Sequence, residues 1–105
     1  MSKQATESKP STAPVRPTIG RILHYRYRAE DGCEESVVGE YRPAQVVRVW
    51  KDEFGAGIDG YNLLVAVDGK NDFPHGLPHG GHTQLWVTSV RMGDGNGECC
   101  WPPPA

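Results

Sequence analysis

The sequence predicts an all-β domain, a small antiparallel barrel of SH3-like or OB-like type preceded by a disordered N-terminal arm. Three observations carry that expectation. Thirteen glycines and nine prolines in 105 residues imply many turns and little helix. Several short segments alternate apolar and polar residues or are rich in β-branched side chains, at turn-length intervals. No stretch sustains the 3.6-residue apolar period of a helix.

Residues 1–17 (M-S-K-Q-A-T-E-S-K-P-S-T-A-P-V-R-P) hold one large aliphatic side chain, Val15. Such a segment buries too little apolar surface to offset its ordering entropy, and it reads as the arm. It also lacks the apolar core of a secretory signal. The barrel is expected over residues 18–101, followed by a polyproline tail over residues 102–105.

The opening segment, residues 18–28 (T-I-G-R-I-L-H-Y-R-Y-R), alternates with period two. Leu23, Tyr25 and Tyr27 fall on one side, and Ile22, His24, Arg26 and Arg28 on the other. The first set is expected to line the barrel. The second is a cationic face. Residues 29–35 form an acidic loop around Asp31-Gly32, and residues 36–41 are expected as a short edge strand weakened by Gly39.

Residues 44–51 (A-Q-V-V-R-V-W-K) read as a strand with Val47 and Val49 on one face and Val46, Arg48 and Trp50 on the other. The Gly-rich stretch 52–60 resembles a phosphate-cradling loop only in Gly55-Ala56-Gly57. No lysine and no βα pattern follow, so it is expected as a hairpin connection. Residues 61–68 (Y-N-L-L-V-A-V-D) are the most apolar run and the expected central strand, with Leu63, Val65 and Val67 facing one way. Residues 71–83 have no periodicity and read as a long loop. Residues 84–92 (Q-L-W-V-T-S-V-R-M) are a further strand, 93–97 a turn and 98–101 a short last strand.

Composition narrows the function. A net charge of −2 disfavours general nucleic-acid binding, and no segment approaches the roughly 20 apolar residues of a membrane helix. The three cysteines, Cys33, Cys99 and Cys100, are odd in number and two are adjacent, so reduced thiols in a cytoplasm are expected rather than a disulfide framework. A thiol nucleophile needs a positioned base and a lowered pKa, and neither is legible. No Ser/His/Asp pattern appears. The expectation is a protein that is not an enzyme and carries no cofactor.

Two constellations bear on binding. His75, His79 and His82 lie four and three residues apart in P-H-G-L-P-H-G-G-H. Three imidazoles are a zinc-ligand set, yet Pro78 and the glycines exclude the helix on which that spacing stacks side chains, so a solvated polar loop competes with a metal site. The other constellation is aromatic and cationic: His24, Arg26, Arg28, Tyr25, Trp86 and Trp101 are candidates for a groove that stacks a ring while arginine holds an anion. The competing reading places the aromatics in the core or a subunit contact. A folded part this small has a thin stability margin, which points to a homo-oligomer, with Trp101-Pro102-Pro103-Pro104 as a candidate hook on a neighbouring subunit.

Four segments carry a resemblance. P-T-I-G-R-I-L-H-Y at 17–25, R-P-A-Q-V-V-R-V-W at 42–50, N-L-L-V-A-V-D-G at 62–69 and L-W-V-T-S-V at 85–90 resemble a set of short accessory proteins of tailed phages and prophages, over roughly residues 17–102. Gly20, Arg21, His24 and Tyr25 match the family's G-R-I-V-H-Y opening, and Trp101 and Pro102 match its W-H-W-P close. Cys99 and Cys100 stand where that close has its first Trp and its His. The resemblance implies a phage origin, a small β fold and a location in the host cytoplasm or on the virion. It implies no activity by itself, but small phage proteins of this kind commonly act by binding: to a host or phage protein, as a virion accessory or decoration protein, or as an anti-defence protein whose oligomer sequesters a nucleotide signal, an anionic small molecule.

Overall fold

The computed structural model describes residues 16–103. The arm expected before residue 16 and the last two tail residues lie outside the described residues. Arg16 and Pro17, expected in the arm, belong to the folded unit: Pro17 is buried, and Arg16 pairs with the buried carboxylate of Asp59 at 3.2 Å.

Five strands form one antiparallel sheet: β1 (Ile22–Arg26), β2 (Tyr41–Trp50), β3 (Gly60–Ala66), β4 (Gln84–Val90) and β5 (Cys99–Cys100). Their order is β4-β3-β2-β1-β5. Past the end of β4, Met92 makes a parallel bridge to Cys99, with Gly93 N–H donating to Cys99 O at 2.9 Å and Cys99 N–H to Arg91 O at 3.1 Å. The chain leaving β4 thus reaches β5 through this one bridge and draws the two ends of the sheet together, while β4 itself pairs only with β3. Because β5 returns beside β1 instead of lying between β3 and β4, the order is the SH3-like of the two expected arrangements.

Alternation puts Leu23 and Tyr25 of β1, Ala44 and Val46 of β2, Leu63 and Val65 of β3, and Leu85, Val87 and Val90 of β4 in one core, joined by Tyr27 and Cys99. The expected Leu23/Tyr25/Tyr27 wall is present, each residue fully buried.

Three local expectations change. Residues 36–41 are not an edge strand: Glu35–Val37 is a 3₁₀ turn, and β2 runs unbroken from Tyr41 through Pro43. Pro43 is tolerated because even-numbered residues of β2 donate toward β1, as Val46 N–H does to Arg21 O at 2.9 Å. The missing Pro43 N–H thus falls on the β3 side, where pairing begins only at Ala44. The expected alternation over residues 46–50 is broken by a bulge between Val46 and Arg48. Val46 is buried, Val47 is the extra residue and points outward, and Val49 returns to the core.

The third change is in residues 71–83. This stretch opens with a helical turn, α1 (Gly69–Asp72), and sends Phe73 and Leu77 into the core. Asp72 fixes it. Its carboxylate is 1% exposed and accepts from Arg42 Nε and Nη2, each at 2.8 Å, from Tyr27 Oη at 2.7 Å and from Asp68 N at 2.8 Å. The Phe73 ring packs edge-on against Tyr27 at 5.8 Å. A second buried carboxylate, Asp31, accepts from Tyr25 Oη at 2.8 Å and from Arg28 N and Nε at 3.0 and 3.1 Å. Each inward tyrosine of the opening segment therefore ends on a buried acid from another part of the chain.

Burial alone would raise the Asp72 carboxyl. The Arg42 guanidinium, the Asp68 N–H and the Tyr27 hydroxyl outweigh it and hold the group at about 2, against an ordinary 3.8. A folded-state pKa below the unfolded one gives stability that is complete above about pH 4 and is lost as pH falls toward 2. Urea unfolding is expected to show that decline in the wild type and a flattened one in Asp72→Asn. At neutral pH the substitution should cost about 3 kcal/mol, and Tyr27→Phe about 1 kcal/mol.

Candidate functional site

With Leu23 and Tyr25 inward, β1 presents Ile22, His24 and Arg26 outward. The register then aligns Ile22 with Gln45 of β2, Leu64 of β3 and Trp86 of β4. This outward row crosses four strands, about 14 Å at the usual strand spacing. Ile22 and Trp86 at its ends are 49% and 43% exposed. The next row carries His24 opposite Pro43, and Val47, turned out by the bulge, extends the apolar surface toward the β2–β3 hairpin.

That hairpin end is held rigid by Asn62. Its Oδ1 accepts from Trp50 Nε1 at 3.1 Å and from Ser89 N at 3.2 Å. Ser89 lies in a second bulge, where β4 gains a residue on β3 and takes a positive φ of 55°. One buried side-chain carbonyl thus repairs the interrupted ladder and fixes an exposed indole. The Arg48 guanidinium lies over that indole at 4.0 Å and the Arg91 guanidinium over the Phe54 ring at 5.7 Å. A Cβ at Gly60, opposite Trp50, would displace the Glu53 carboxylate and come to 3.1 Å from the Phe54 ring.

The six candidates for an aromatic and cationic groove do not converge. Tyr25 is core, and Trp101 packs against the core. Arg28 is bound to Asp31. Arg26 faces outward, with Nε on Gly39 O at 3.0 Å, Nη1 on Asp94 O at 2.5 Å and its guanidinium over Tyr41 at 5.6 Å. It ties two turns together. His24 stands beside it, its ring 5.9 Å from that of Tyr41. Trp86 shares the outward surface with His24, but β2 and β3 separate them.

The loop histidines are also dispersed. His79 Nε2 accepts from the backbone N–H of Trp86 at 3.1 Å. With His82, Leu64 and Leu77 it lines a cleft of about 190 Å³, and His75 is exposed outside it. Among the described residues no group of three His, Cys, Asp or Glu side chains is placed to hold a metal. No described helix is long and apolar enough to cross a membrane.

The cysteines are free thiols. Burial, with the Cys100 and Glu98 charges beside it, pushes the Cys99 thiol up to about 12, and its Sγ lies 3.6 Å from Met92 Sδ. Burial also raises the Cys33 thiol. Both shifts oppose the thiolate that nucleophilic chemistry needs. The residues that organise this surface and that sequence patterns missed are Asn62, Asp72 and Arg42. Each is a polar residue whose partners lie far along the chain.

Comparison with protein-family models, with curated proteins and with solved structures finds no match to this chain.

A thiol reagent applied at pH 8 is expected to leave Cys99 unmodified in the native protein and to label it once urea unfolds the barrel, as read by peptide mass mapping. Equal labelling rates in both states would contradict its burial.

Proposed function

We propose that this chain is a non-enzymatic binding protein, of the phage or prophage accessory kind its sequence resembles, that assembles as a homo-oligomer through its outward sheet face and acts by holding a host or phage partner. The observation that carries this reading is the outward row Ile22–Gln45–Leu64–Trp86, in which Ile22 and Trp86 are exposed at the ends and Leu64 is half-buried between them. Two further features support it. The buried charges Asp31, Asp72 and Asp59 are satisfied inside the fold, and Arg26 and Arg28 are committed to internal acceptors. A strong anion-binding pocket would need such groups free. The domain is also small and carries no disulfide among the described residues, so added burial between copies offsets its thin margin.

A second reading has one observation in its favour. Arg48, stacked on Trp50, has no ion-pair or hydrogen-bond partner among the described residues. A guanidinium beside a fixed indole suits an anionic ring such as a nucleotide. Under that reading the protein sequesters a nucleotide signal.

Sedimentation velocity tests the oligomer, and thermal stability with nucleotides tests the second reading. The wild type is expected to run above the protomer mass, and Ile22→Ser combined with Trp86→Ser to run as a protomer with an unchanged circular-dichroism spectrum. Fully burying either side chain is worth about 1.5–3 kcal/mol, so losing both should weaken assembly by at least about a hundredfold. A monomeric wild type at high concentration would defeat the oligomer reading. Thermal stabilisation by nucleotides that is lost in Arg48→Ala would favour the second reading.

A further inference from the structure

Strand β4 is bonded to β3 along one side, and among the described residues no strand lies along the other over Gln84–Val90. On that open side the N–H of Trp86 points outward, and His79 Nε2 receives it at 3.1 Å. The imidazole nitrogen stands where the carbonyl of a further strand would stand. We propose that His79 is a pH-sensitive latch on the open edge of the barrel. It is closed when the imidazole is neutral and released when the imidazole is protonated.

The chemistry gives the direction. Only the neutral ring has a lone pair at Nε2 to accept the Trp86 proton. Protonation places an N–H against an N–H, so the contact turns from attractive to repulsive. The latch opens as pH falls through the range in which histidines ordinarily titrate, about pH 5–8.

The loop is anchored at its roots, and its tip is a turn in which Gly80 N–H donates to Leu77 O at 2.9 Å and Leu77 N–H to Gly81 O at 3.3 Å. Leu77 is buried, and Val67 N–H holds Thr83 O at 3.0 Å. Between these anchors, Gly80 and Gly81 have φ values of 91° and 80°, and a Cβ at either would meet nothing within 4 Å. Among the side chains around the cleft beside His79, β3 gives Leu64, β4 gives Gln84, and the loop gives Leu77, Thr83 and His82. His82 is the other titratable group, and no carboxylate lines the cleft. Release of the tip bares the Trp86 N–H, a donor on an open strand edge, and the Leu64 side of the cleft. This inference does not rest on the proposed oligomer.

Backbone amide exchange followed by NMR tests it, with each rate expressed as a protection factor to remove the intrinsic pH effect. From pH 8 to pH 5 the Trp86 amide is expected to lose at least about tenfold in protection, the scale of one hydrogen bond. The amide of Leu63 in β3 should hold steady. The midpoint should coincide with the titration of the His79 ring protons. His79→Ala should show low protection at Trp86 at every pH, and His82→Gln should retain the transition. Constant protection in the wild type, a midpoint apart from that of His79, persistent protection in His79→Ala, or a transition abolished by His82→Gln would each overturn the latch.

Discussion

The fold depends on one carboxylate. Asp72 receives two N–H groups from Arg42, the hydroxyl of Tyr27 and the N–H of Asp68, so it joins β2, the end of the opening segment and the root of the long loop at one point. Removing those charges from water is expensive, and the net gain over an apolar replacement is small. What the network secures is position. Donors from three parts of the chain converge on two oxygens in one arrangement only, which places Phe73 against Tyr27 and lets the loop plug the end of the barrel. Asp31 does the same work for Tyr25 on a shorter span. A domain this small has little core to spare, so an inward tyrosine whose hydroxyl lacked an acceptor would be a serious loss.

The two bulges shape the outer surface in the same way that the buried acids shape the inside. Each inserts a residue and breaks the alternation, and Asn62 lies between them. By accepting from both Ser89 and Trp50 it repairs the β4 bulge and immobilises an indole that the β2 bulge has helped bring outward. Arg48 then stacks on a ring already fixed. Ordering a long side chain before contact lowers the entropic cost of an interface. This surface is therefore better prepared for binding than exposure alone would suggest.

What was legible in the sequence follows from the range of each signal. Period-two alternation is local, so the Leu23/Tyr25/Tyr27 wall and the Leu63/Val65 pair could be read directly, and with them the barrel. The cationic face of the opening segment was equally visible as a pattern. Its partners were not: Arg26 bonds carbonyls at Gly39 and Asp94, and a carbonyl leaves no trace in sequence. The Tyr27–Asp72 bond spans 45 positions, and Asp72 before the fact looks like any solvated loop acid. The bulge at Val47 was hidden because Val-Val-Arg-Val alternates acceptably in either register. The loop histidines drew notice as a metal set because spacing was all that could be seen. In the structure His79 accepts a backbone N–H, His82 lines the same cleft, and His75 is exposed outside it.

These features meet at Trp86. Its side chain closes the outward row that begins at Ile22, while its backbone N–H is the donor held by His79. The two roles use opposite parts of one residue, and they share a neighbour: Leu64 is directly opposite Trp86 in the register and also lines the cleft beneath the loop. A displacement of the loop tip therefore changes the surroundings of Leu64 and the edge of β4 together, while Phe73 and Leu77 keep the core closed. Any partner that covers the outward row would bear on the same strand the latch guards. A partner that bound the face differently in the two states of His79 would, by linkage, shift that state as much as that state shifted its binding.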